Sequence, residues 1–159
     1  MTNEVLSIGL AALGVASALV SGVFLSFSDF VMRALGRAPD AAGARAMQEI
    51  NRAVYRSLFM VLLLGLVPIS ALVLVLAGLG WTGTAAAWAA VGGVAYLAGV
   101  FAVTVFGNVP MNQRLDRLTG AEADAYWRRY RLRWTRLNHL RWVAAAMASG
   151  AFLVAGYAA

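Results

Sequence analysis

Residues 57–113 read SLFMVLLLGLVPISALVLVLAGLGWTGTAAAWAAVGGVAYLAGVFAVTVFGNVPMNQ, and no charged side chain interrupts them. Arg56 stands before the run and Arg114 after it. A membrane-spanning helix takes about 20 mostly apolar residues, so the run holds two, at 57–79 and 84–107. Gly80-Trp81-Thr82-Gly83 lies between them, and that composition marks a tight turn. Working outward, 5–27 is also free of charge and makes a first span, and 142–158 makes a fourth. Residues 1–4 carry no basic side chain, and the apolar run behind them is too long for the core of a signal peptide, so 5–27 is expected to remain a span. The expected fold is all-α: an integral membrane four-helix bundle, one domain over 1–159.

Composition agrees. Of 159 residues, 62% are apolar and 13% charged, too few charges to cover a water-soluble surface. The absence of cysteine excludes disulfides, thiolate metal sites and cysteine nucleophiles. The net charge of +6 comes from arginine alone, as there is no lysine. In so apolar a chain, that charge points to the lipid bilayer and its anionic headgroups as partner, not to nucleic acid. Arg33, Arg37, Arg45, Arg52 and Arg56 lie between spans one and two, and all other arginines lie between spans three and four. The positive-inside rule therefore puts both segments in the cytoplasm and both termini outside, in an inner or plasma membrane. Trp81 and Trp88 then mark the outer interface, and Trp134, Trp142 and Tyr55 the inner one.

The cytoplasmic segments are expected to be helical extensions. Residues 41–56 space Ala46, Met47, Ile50 and Val54 at helical intervals, which predicts a helix running straight into span two. Residues 121–141 place Trp127, Tyr130, Trp134 and Asn138 near one face and should join span four, giving a helix of about 38 residues, or ~57 Å. Pro68, close to Gly65, is expected to kink span two. The two halves also match in short stretches. Phe27-Ser28-Asp29-Phe30-Val31-Met32 parallels Phe106-Gly107-Asn108-Val109-Pro110-Met111, and Ile50-Asn51-Arg52 parallels Leu137-Asn138-His139. Two repeated helical hairpins would place a site at the repeat interface.

The polar residues near the span ends are the candidates for chemistry. His139 is the one histidine; it is either a general base near neutral pH or an ordinary interfacial side chain. Asn108 and Asn112 flank Pro110, which frees backbone carbonyls at the end of span three; they cap the helix or hold a ligand. Asp29 and Arg33 are spaced to pair with each other at i, i+4, the alternative being a carboxylate that accepts a proton. Trp127, Tyr130 and Trp134 stack on a flat ligand or pack against the protein. No set of ligands suits a metal ion. Haem held by His139 with Met32 or Met111 is a minor alternative. No charge lies deep in a span, which argues against an ion pathway.

Five motifs in order, Phe27-Ser28-Asp29-Phe30-Val31-Met32, Met47-Gln48-x-Ile50-Asn51-Arg52, Asn108-Val109-Pro110-Met111-Asn112, Trp127-x-x-Tyr130-x-x-x-Trp134 and Asn138-His139-x-Arg141, resemble the anthrone oxygenase-like membrane family over nearly the whole chain. Much of that family has no assigned function. Met111 stands where the family commonly has leucine or isoleucine, and Leu137 where an aromatic often precedes the Asn-His pair. The resemblance implies oxidation of a planar phenolic or similar lipophilic small molecule by O2 without a cofactor. His139 would then be the base, with Asn138 and Asn108 completing the catalytic set. Asp29, Asn51, Arg52, Asn112, Trp134 and Arg141 would contact substrate. The rival readings are a non-catalytic membrane module that binds a lipophile or a partner protein, and a haem or quinone redox protein. Substrate, product and oligomeric state are not written in the sequence.

Overall fold

A computed structural model describes residues 2–159. Among the described residues it is all-helical, with four helices long and apolar enough to cross a membrane. Helix α1 comprises Thr2–Ser26, a π-helical turn at Phe27–Val31 and Met32–Leu35. Helix α2 is Asp40–Val54 and α3 is Leu58–Gly78. Helix α4 is Thr84–Arg117, with π-helical segments at Ala95–Ala102 and Thr104–Asn108. Helix α5, Gly120–Tyr157, is continuous over 38 residues.

The segment ahead of span two departs from the expected single helix. The chain breaks at Tyr55–Ser57 because Ser57 offers the backbone a local alternative. Its hydroxyl donates to the Val54 carbonyl at 2.6 Å and accepts from the Met60 amide at 3.3 Å, capping α3. The turn between α3 and α4 follows its composition. Gly80 and Gly83 adopt φ of +104° and +96°, a region that a side chain makes costly.

The four long helices close a ring in the order α1, α3, α4, α5: α5 packs along α1 and α4, and α3 joins α4 to α1. Small residues allow the close approaches, as is usual where lipid removes the hydrophobic drive between helices. A Cβ on Gly99 of α4 would collide with the Ala144 Cβ of α5. Near the termini, the Ser7 hydroxyl donates to the Gly156 carbonyl, tying α1 to α5. One core region fills the ring with Val20, Phe24, Leu63, Tyr96 and Phe152. A second lies at the arginine-rich end, where Met47 and Leu115 meet Trp127, Tyr130 and Trp134. Leu58, Val61, Leu64, Leu72 and Val75 stay exposed along α3, as a lipid-facing side requires.

Helix α2 is bound down at three points. Gln48 donates to the Leu115 carbonyl in the last turn of α4 at 2.8 Å and to the Leu118 carbonyl just past its end at 3.0 Å. Arg52 pairs with Asp116 at 2.8 Å, and Asp40 at the other end with Arg128 at 2.7 Å. These contacts hold α2 against the arginine-rich ends of α4 and α5.

The halves repeat in outline: α1 and α4 are each followed by a helical stretch of similar length, Asp40–Val54 plus Leu58–Gly78 in one half and Gly120–Tyr157 in the other. The two sequence matches do not share one register. Asp29 and Asn108 are 79 positions apart, and Asn51 and Asn138 are 87 apart. The difference is about two helical turns, so the two matches share a register only with an insertion between them.

Candidate functional site

At the arginine-rich end of the ring the helices leave a partly open cavity of about 90 Å³. That is smaller than the roughly 300–1,000 Å³ clefts that hold drug-sized ligands, so a planar tricycle would lie partly in the mouth. All five helices supply its wall, for example Val23, Met47, Phe59, Thr104 and Trp134. Tyr55, at the break between α2 and α3, stands at the wall and is largely exposed.

Beside this apolar space α5 sets one polar row, of which Trp134 and Arg141 line the cavity. Trp134, Asn138 and Arg141 recur at i, i+4 and i+7, which is one face of a helix, and all three are buried. Arg141 is only 5% exposed. Its guanidinium lies 4.3 Å from the Phe24 ring centre and 5.1 Å from that of Trp134. It donates to Asn138 Oδ1 at 2.7 Å and reaches Thr104 Oγ1 at 3.4 Å. Among the described residues no carboxylate pairs with it, and none lines the cavity. A buried cation without a counter-ion is costly, and an anion beside it would remove that cost.

Asn138 fixes Arg141 from behind. Its amide donates at 2.7 Å to the Phe24 carbonyl and at 2.7 Å to Ser28 Oγ, at the π-helical turn of α1. Asn108 belongs to the second π-helical segment of α4 and is fully buried. Its Nδ2 donates to the Trp134 carbonyl at 3.3 Å, which leaves Oδ1 without a partner. Arg141 Nε is likewise buried and unpartnered, and Asn51 Nδ2, which lies beside the Tyr130 phenol, has no partner of hydrogen-bond geometry. The cavity wall thus carries two free donors and one free acceptor, set in apolar surroundings. Buried polar atoms without partners are rare and call for a ligand or water.

Asn112 serves the scaffold as well as the wall. Its Oδ1 accepts from Tyr130 Oη at 2.8 Å and Trp134 Nε1 at 2.8 Å. Burial pushes the Tyr130 phenol, in α5 ahead of the span, well above the usual tyrosine range, so it stays a donor. The aromatic row mostly packs on itself: Trp127 stacks on Tyr130 and Tyr130 on Trp134, with ring centres 5.6 Å and 6.2 Å apart. Of these three rings, Trp134 alone lines the cavity.

Three expected site residues lie elsewhere. His139 is exposed, on a separate groove of α5 with Ser28 and Arg33. Asn138 is the buried neighbour, and one residue further turns the side chain about 100° around the helix, away from the cavity. Asp29 is two-thirds exposed and pairs with Arg33 at 3.6 Å, the local i, i+4 contact. Arg52 is spent on Glu49 and Asp116 at the surface. Of the methionines considered as haem ligands, Met32 borders the His139 groove and Met111 packs against the second core region. Sequence reasoning missed Thr104, one turn before Asn108, although that spacing was a usable signal. It also missed Phe24 and Ser28, whose part in holding Arg141 and Asn138 depends on the π-helical turn.

Fold and site together define a four-helix membrane protein with a small, apolar-walled cavity and a buried arginine at its arginine-rich end. The sequence profile of the anthrone oxygenase family matches residues 52–151, well over half the chain. The chain belongs to that family. Neither the curated proteins nor the solved structures contain a match to it.

Proposed function

We propose that the cavity binds a planar phenolic lipophile of the anthrone type and promotes its oxidation by O2. The observation that carries this reading is Arg141, buried without a carboxylate partner on an apolar wall. An anthrone is a weak carbon acid whose anion places negative charge on oxygen. Arg141 Nε and Asn51 Nδ2 are free to receive that oxygen, and Asn108 Oδ1 is free to accept from a ring hydroxyl. Donors aimed at developing charge in a dry site are usually the largest source of catalysis.

The reaction balances without a further reagent. The ring methylene gives up a proton, and the anion passes electrons to O2. A carbon–oxygen bond forms, and loss of water leaves a carbonyl: CH2 plus O2 yields C=O plus H2O. The substrate supplies the reducing electrons, so this reading uses no cofactor. No carboxylate or imidazole lines the cavity, so the proton is assigned to water at the mouth, and Arg141 acts by making the substrate more acidic.

The same lack of a base favours a second reading, in which the cavity binds a lipophilic anion without turning it over. Oxygen consumption separates the two. Purified protein with a panel of hydroxyanthrones should consume O2, and Arg141→Gln should lower kcat/KM by about 10²–10³, the usual cost of one oxyanion donor. Arg141→Lys should recover part of the rate, because it restores the charge without the fork. If the panel produces an absorbance shift on binding but no oxygen uptake, the binding reading replaces the oxygenase.

A further inference from the structure

We infer that the groove between the end of α4 and α5 is a site for the phosphate headgroup of an anionic phospholipid. Arg114 of α4 and Arg129, Arg133 and Arg136 of α5 border it. The three on α5 recur at i, i+4 and i+7 and so share a face. Among the described residues, none of the four is within ion-pair distance of a carboxylate; the ion pairs there use Arg33, Arg52 and Arg128. Four cations around one groove repel each other, and an anion placed between them reverses the sign of the interaction.

The groove is built as well as charged. The Arg114 guanidinium lies over the Tyr126 ring, 4.6 Å from its centre. Burial raises the Tyr126 phenol above its usual range, while Arg114, Arg133 and Arg129 pull it back, so three of the arginines act on one point of the groove. The space is about 540 Å³ and shares no lining residue with the apolar cavity. The site therefore does not depend on the oxygenase reading. Arginine forks suit phosphate oxygens, which they contact in pairs.

A lipid fits better than a free phosphate because the groove runs on into an apolar strip. Leu132 lines it and is 61% exposed. Leu132, Arg136, Leu140, Val143 and Met147 follow each other at steps of four, four, three and four residues along α5, one stripe of the helix. Leu140, Val143 and Met147 are all exposed. A phosphate held by Arg133 and Arg136 would lay its acyl chains along those three side chains. Basic pockets between membrane helices are known to take anionic headgroups in this way.

The test uses the full chain, delipidated in detergent, with lipid retention followed by native mass spectrometry. Phosphatidylglycerol should be retained and phosphatidylcholine should not. Arg133→Gln with Arg136→Gln should weaken phosphatidylglycerol binding by about thirtyfold, from roughly 1 kcal/mol per arginine. Both side chains are exposed and unpaired, so this variant should fold, and its helical circular dichroism would verify that. Arg45→Gln with Arg117→Gln removes the same charge outside the groove and should leave binding intact. Equal loss in this second variant, equal retention of phosphatidylcholine, or equal competition by glycerol phosphate would each overturn the proposal. The last result would mark a soluble-anion site instead.

Discussion

At the scale of single residues, Arg141 and His139 trade places relative to a reading of the sequence. Both sit in Asn138-His139-Leu140-Arg141, and both are polar residues beside a span. Helical phase separates them, because Arg141 is in step with Trp134 and Asn138 and His139 is not. As a direct base, His139 would be worth ~10²–10⁴ in rate. With the ring exposed and outside the cavity, His139→Ala should instead leave oxygen uptake with a hydroxyanthrone unchanged, in the assay where Arg141→Gln loses it. A large loss in the alanine variant would return the proton transfer to His139. The burial of Asn108, Asn138 and Trp134 was legible, since each sits on an apolar face at a span end. The free atoms on Asn51, Asn108 and Arg141 were not, because partners across helices are a property of packing.

At the scale of elements, the four spans follow directly from uninterrupted apolar runs, and the continuity of α5 from its unbroken aromatic spacing. The π-helical segments of α1 and α4 leave no such trace. They change the phase of a helix without changing its composition, and such bulges often accompany functional sites. The break at Ser57 was hidden for a related reason: serine is tolerated inside helices and gives no sign of when it will cap one. The α4–α5 seam offers a clean test of element packing. Gly99→Ala should destabilise the protein by about 1–3 kcal/mol, the usual cost of overpacking. Adding Ala144→Gly should restore much of the lost thermal stability, because it returns the missing methyl's space. If the double variant melts no higher than the single, the close approach of these two helices is not what limits stability.

At the scale of the whole molecule, arginine placement and the bundle agree that one end is polar and structured and the other is bare. Helix α2 and the extended ends of α4 and α5 all gather at the arginine-rich end. We propose that this end faces the cytoplasm. The absence of cysteine makes labelling direct. Thr82→Cys and Ala159→Cys should react with an impermeant thiol reagent from outside, whereas Arg45→Cys and Thr119→Cys should react after permeabilisation alone. The reverse pattern would invert the orientation. That the cavity draws on all five helices has a consequence for its ligand. A molecule seated there touches every part of the chain that folding must assemble, and so acts as a keystone. At a hundred times its dissociation constant, such a ligand would add about 2.7 kcal/mol to the folded state. The empty bundle should therefore be the softer of the two forms, and the true occupant should be recognisable by how far it hardens the whole.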